Sequence, residues 1–166
     1  MKREFSKTQK LTISAVCIAL YLVVMVCTQN FAFGQYQVRI ATGLYGLAAL
    51  YPFLVLPLAV ANILSNTLMG GLGPVDMIGG FCVGLATTSL IVFGKRHGCG
   101  NWIVAVAVTL VPGLGVPIWL SALLQIPYIV LVSSLLVGQF ISGMAGMALV
   151  QALEHTPIGV PASTDK

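Results

Sequence analysis

The chain has 166 residues, 58% of them hydrophobic and only 7% charged, with a formal net charge of +4. Soluble domains carry roughly 25% charged residues, so a mean hydropathy of +0.99 excludes a water-soluble fold of this size and makes lipid the main solvent. The apolar runs are continuous rather than alternating, which excludes a β-barrel. What remains is an all-α integral membrane protein of about six transmembrane helices, single-domain over residues 1–153, with a polar tail over 154–166.

Lys2, Arg3, Lys7 and Lys10 form a short basic N-terminus ahead of the first apolar run. That run is too long for a signal peptide and no A-x-A cleavage site follows it, so a retained first helix is predicted over 11–28. Residues 29–39 (QNFAFGQYQVR) are polar and aromatic and read as a loop or re-entrant piece. A short second helix is expected over 40–50, and Pro52 and Pro57 bend the chain before a third that ends near Leu68. MGGLGP at 69–74 is a breaker cluster, and a fourth helix runs from about 75 to 93. GKRHGCGN at 94–101 is the clearest loop. The fifth helix starts at Trp102 and is expected to be interrupted at Pro112-Gly113 and Pro117. The sixth covers about 126–153.

Cytoplasmic segments of membrane proteins are enriched in Lys and Arg. The four N-terminal cations and Lys95 and Arg96 fall on one side when four helices separate them, so both termini are predicted to be cytoplasmic. The same count puts Arg39, the glycine-rich loop, Asp76 and the region of Gln125 on the outer side.

Arg39 and Asp76 are the only charged residues between Lys10 and Lys95. Ionisable groups at membrane depth serve a site or pair with one another, or sit at the interface where they reach water. Asn62 and Asn66 are four residues apart on one helix face, suited to binding a polar ligand or to stapling helices. Asp76, Gly80 and Gly84 repeat at the same spacing, which either lets a helix approach or leaves floor space for a flat ligand. Gln35, Tyr36, Gln37, Trp119, Gln125 and Tyr128 are further outward-facing candidates, and Gln139 lies deeper in the last helix. Gly138, Ser142 and Gly146 form a helix-packing seam, and Ala15 and Ala19 form a small-residue pair on helix 1.

Cys17, Cys27, Cys82 and Cys99 include no C-x-x-C, and His97 with Cys99 offers too few ligands for zinc, so no metal or cofactor is implied. No Walker A sequence, H-E-x-x-H or G-x-S-x-G occurs, so the chain reads as neither an enzyme nor its own motor. Asp76 is the only acid between Glu4 and Glu154, which leaves proton coupling without a relay. No inverted repeat marks a self-sufficient secondary transporter. Besides ligand capture, the composition allows a structural or regulatory membrane subunit.

Residues 37–80 resemble the queuosine-precursor transporter family in Gln37-x-Arg39, in Asn66 closing helix 3, and in L-G-P-x-D at 72–76. The resemblance implies a substrate-binding S component of an energy-coupling-factor (ECF) importer. Its implied partners are the lipid bilayer, a transmembrane coupling subunit that packs on Ala15 and Ala19, and two ATPase subunits; no nucleic acid is implied. The implied substrate is a 7-deazaguanine (preQ0, preQ1 or queuine); taken with the reading of the residues above, the expected site is Asp76, Asn66, Asn62, Arg39, Gln37, Thr42, Gln125 and Gln139. An S component for another vitamin-like solute is the alternative. The chain departs from the family pattern at Thr42 and at Gln139, where the pattern carries Glu. Fewer acids favour a neutral base such as the nitrile precursor.

Overall fold

The computed structural model describes residues 5–32, 38–70 and 72–156. Helix α1, Lys7–Cys27, opens on a capping box: Ser6 N–H donates to Gln9 Oε1 at 2.9 Å and Gln9 N–H to Ser6 Oγ at 3.2 Å. This starts the helix four residues before its apolar run, because capping rather than hydropathy fixes the first turn. A single turn, α2, follows at Gln29–Ala32.

The expected second helix is a 3₁₀ helix, Ile40–Gly46, that relaxes into one α-turn, α3, Leu47–Leu50. At about 2 Å per residue and then 1.5 Å, it spans ~20 Å of a ~30 Å hydrocarbon layer. A 3₁₀ turn at Pro52–Leu54 leads into α4, Val55–Ser65, which widens into a π-turn at Asn66–Gly70. Helix α5 is Pro74–Arg96, α6 is Trp102–Leu124 and α7 is Tyr128–Glu154. Five stretches are long and apolar enough to cross a membrane, with Ile40–Leu50 as a shorter one. Among the described residues there is no strand.

Helix α6 corrects one expectation, since it runs unbroken through Pro112 and Pro117. Each proline leaves the carbonyl four residues earlier, Val108 or Gly113, without its helical donor. Breaking the helix inside lipid would strand more backbone groups than the prolines do, so the helix continues.

The core has two parts. Tyr21, Met25, Tyr45, Leu54, Leu58, Ile91 and Val104 centre the larger one, and Val83, Val116, Leu120, Leu131 and Leu135 the smaller. Large apolar side chains such as Leu11, Ile118 and Ile129 are exposed, as a bilayer-facing surface requires. The seam on α7 carries a backbone crossing: a Cβ at Gly146 would lie 2.5 Å from Gly43 O, and one at Gly43 would lie 2.9 Å from Ser142 O.

The two ends of the bundle differ. Phe5 packs on Tyr51 and Phe53, with ring centroids 5.8 and 6.0 Å away, which places the start of α1 beside the start of α4. Thr88 Oγ1 donates to Val55 O at 3.4 Å, so the basic end of α5 lies at that same end. There Lys95 Nζ meets Asn101 Oδ1 at 2.7 Å and Glu154 Oε1 at 3.3 Å, and Asn101 Nδ2 donates to Glu154 Oε2. Glu154 therefore belongs to the bundle, as the last residue of α7, rather than to the tail.

Candidate functional site

At the opposite end, where the two cores meet, polar side chains from five segments line one cavity: Arg39, Thr42 and Tyr45, Asn62 and Asn66, Asp76, Trp119, and Gln139, with Gly80, Val83, Pro112 and Val116 completing the wall. Arg39 caps the 3₁₀ helix, and Thr42 and Tyr45 follow at intervals of three. With three residues per turn such positions eclipse, so the three side chains stand in one row.

Asp76 is the third residue of α5, after Gly73 (φ 88°) as cap and Pro74 at the first position. Proline pre-sets the backbone there, and the positive helix end favours a carboxylate in the first turn. Asp76 is only 6% exposed. Its Oδ1 accepts from Trp119 Nε1–H at 3.0 Å.

Asn66 joins the charged residues without an ion pair between them. Its Oδ1 accepts from Arg39 Nη2, and its Nδ2 donates to the Asp76 backbone carbonyl at 3.1 Å. Among the described residues the one ion pair is Lys95–Glu154, at the far end. One turn before Asn66, the Asn62 amide meets the Tyr45 hydroxyl through Nδ2, while Oδ1 has no donor among the described residues. Rotating the amide lets Tyr45 donate to Oδ1 and turns Nδ2 toward the cavity, so Asn62 can present either an acceptor or a donor.

Thr42 Oγ1 lies 2.6 Å from Arg39 O and 2.9 Å from Gln139 Oε1. A hydroxyl has one proton. A coherent arrangement has Thr42 donating to the carbonyl and the Gln139 amide turned to donate to Thr42. These two residues, on distant parts of the chain, thus form one neutral patch of wall.

The glycine strip serves neither as bare floor nor as a plain helix seam. A Cβ at Gly80 would lie 2.4 Å from Asn66 Nδ2 and 2.7 Å from Asn62 Oδ1, and one at Gly84 would lie 2.9 Å from Tyr45 Oη. The missing side chains make room for the polar groups of the site. Gly79 makes the same room for Trp119, whose ring a Cβ would meet at 2.7 Å. Together these side chains leave a cavity of about 10 Å³, room for about one water.

Asp76, Asn66, Asn62, Arg39, Thr42 and Gln139 thus share one cavity. Gln125 is a correction: it sits exposed in a left-handed turn (φ 55°) after α6, its Nε2 donating to Ala122 O at 2.7 Å, so it caps its own helix. Gln37, with Gln35 and Tyr36, lies outside the described residues. Tyr128 donates to Leu114 O at 3.0 Å, away from the cavity. Ala15 and Ala19 are exposed on α1, whose buried face is Cys17, Tyr21 and Met25. Tyr45, Val83, Pro112 and Val116 are absent from the sequence-based set. Tyr45 has a signal in its triplet spacing from Arg39, readable only once the segment is known to be 3₁₀; the apolar three have none.

A lipid-facing helical bundle that buries an acid, an arginine and three amides around one cavity is built as a component of a membrane transporter. The chain belongs to the QueT transporter family, whose profile matches residues 11–155. No curated protein and no solved structure matches it.

Proposed function

We propose that this chain is the substrate-binding S component of an ECF importer, capturing a 7-deazaguanine queuosine precursor from outside. What supports the reading is the shared cavity of Asp76, Asn66, Asn62, Arg39, Thr42 and Gln139 in a chain of this family. A 7-deazaguanine offers N1–H and a 2-amino group side by side. A carboxylate accepts both, and such charge-assisted bonds are the strong kind. Asp76 takes that edge, and an amide of Asn66 or Asn62 meets the O6 side. Arg39 and Asp76 balance in charge, and the Thr42–Gln139 patch adds no acid, so the site suits the neutral nitrile better than the cationic aminomethyl base or queuine.

The basic end, with Lys10, Lys95 and Arg96, faces the cytoplasm in this reading, and the cavity end faces out. With no Walker A sequence of its own, the chain draws work from two ATPase subunits through a coupling subunit docked on α1 at Ala15 and Ala19.

Calorimetric titration of the protein in nanodiscs with the nitrile base, the aminomethyl base and queuine tests this. Tight binding is expected, strongest for the nitrile, and Asp76→Asn should weaken it roughly 100-fold, the value of one or two charged hydrogen bonds. Unchanged affinity in Asp76→Asn removes Asp76 from its role. No binding to any base by folded protein moves the substrate to another small solute. Co-purification of ATPase subunits tests the coupling.

A further inference from the structure

We propose that Trp119 is the plug of this cavity, and that a ligand enters by replacing the indole N–H on Asp76 with its own. Three observations carry this. The Trp119 Nε1–H donates to Asp76 Oδ1 at 3.0 Å, occupying an oxygen that the substrate reading gives to the base. The indole fills the notch at Gly79, where a Cβ would meet Cε2, Cζ2 and Cδ2 at 2.7, 2.8 and 3.0 Å. With the indole seated, the remaining cavity is about 10 Å³, which admits about one water and no bicyclic base.

The other wall residues move less readily. Asn66 is held at both ends of its amide by Arg39 and by the Asp76 carbonyl, and Gln139 meets Thr42. Trp119 is half-buried and its indole has a single hydrogen bond. It is also the only wall residue that itself presents a planar aromatic N–H donor to the carboxylate. The seat is therefore already shaped for a flat heterocycle donating N–H to Asp76, so Trp119 acts as a specificity residue: a solute without such a donor cannot repay the carboxylate for the bond it loses.

The inference deepens the reading above and rests on it for what enters, but its test needs no ligand. Cys17, Cys27, Cys82 and Cys99 are replaced by alanine and Val116, on the cavity wall, by cysteine. The rate of modification by a small water-soluble thiol reagent is then measured in nanodiscs. Val116→Cys should react slowly with Trp119 in place and at least ~10-fold faster with Trp119→Ala, as buried and opened sites differ in protection. Gly79→Ala, which removes the seat and leaves the indole intact, should open the cavity equally and is a favourable change within a helix. It carries the test if Trp119→Ala does not fold. Reaction rates unchanged by either substitution in folded protein overturn the plug, whatever the substrate proves to be. A calorimetric blank with all three bases overturns the substrate reading and leaves the plug standing on its labelling rates.

Discussion

Gly146→Ala is the sharpest test of how the site is held. The added Cβ would lie 2.5 Å from Gly43 O and 3.0 Å from Gly43 Cα, whereas a carbon and a carbonyl oxygen rest at about 3.3–3.6 Å. Both neighbours are backbone, so no rotamer relieves the clash and the 3₁₀ helix must move off α7 by ~1 Å. Overpacking of this kind costs about 1–3 kcal/mol, and alanine returns at most ~1 kcal/mol of helix propensity. With the full propensity gain the expected net loss is therefore up to ~2 kcal/mol. The displaced segment carries Thr42, so its 2.9 Å contact with Gln139 is lost as well. Gly115→Ala is the control, because its Cβ would meet only the end of the Val83 side chain at 3.1 Å. Denaturant unfolding of both variants in lipid should show Gly146→Ala clearly less stable and Gly115→Ala near neutral. Equal stability would refute the argument that a backbone crossing fixes the cavity wall.

Gly80→Ala pushes aside the Asn62 and Asn66 amides, flexible side chains rather than backbone; it should fold but lose affinity for the base by roughly tenfold or more, as one or two hydrogen bonds are misplaced, read by titration. Thr42→Glu places an acid beside Gln139 and should shift preference from the nitrile to the aminomethyl base, because a counter-ion then faces the ligand's cation; an unchanged ratio of affinities would remove Thr42 from the ligand's surroundings. Glu154→Gln, at the solvated end, should cost no more than ~1 kcal/mol and leave binding unaltered; a large loss by the same unfolding assay would mean that the Lys95–Asn101–Glu154 knot is more than an exposed ion pair.

Hydropathy and breaker residues were sufficient for the long helices, since lipid admits few alternatives to a continuous apolar helix. The same logic failed at Pro112 and Pro117, because the missing N–H and ring clash of a proline cost less inside lipid than the stranded backbone of a broken helix. The lining of the candidate cavity was legible through rarity: Arg39, Asp76, Asn62 and Asn66 stand out in an apolar chain, and all four line one cavity. Gln125 shows the limit, since a polar residue at a helix end can serve only its own backbone. Tyr45 shows another: its face depends on a period of three, and composition does not distinguish a 3₁₀ helix from an α-helix. The Thr42–Gln139 contact joins positions 97 residues apart, and no local pattern encodes it.

The carbonyls of Val108 and Gly113, which lose their usual helical donors to Pro112 and Pro117, sit in the helix that also carries Trp119. A helix short of two rungs is softer there than elsewhere. Across the cavity, α5 has no internal proline and is joined to α4 through the Asn66 bond to Asp76. The compliance of the site is thus expected to be one-sided: α5 is the anvil, and the cavity-end half of α6 is the softer wall. Substitutions that restore a rung, such as Pro117→Ala, would stiffen the moving wall and slow exchange at the site more than they alter its resting affinity.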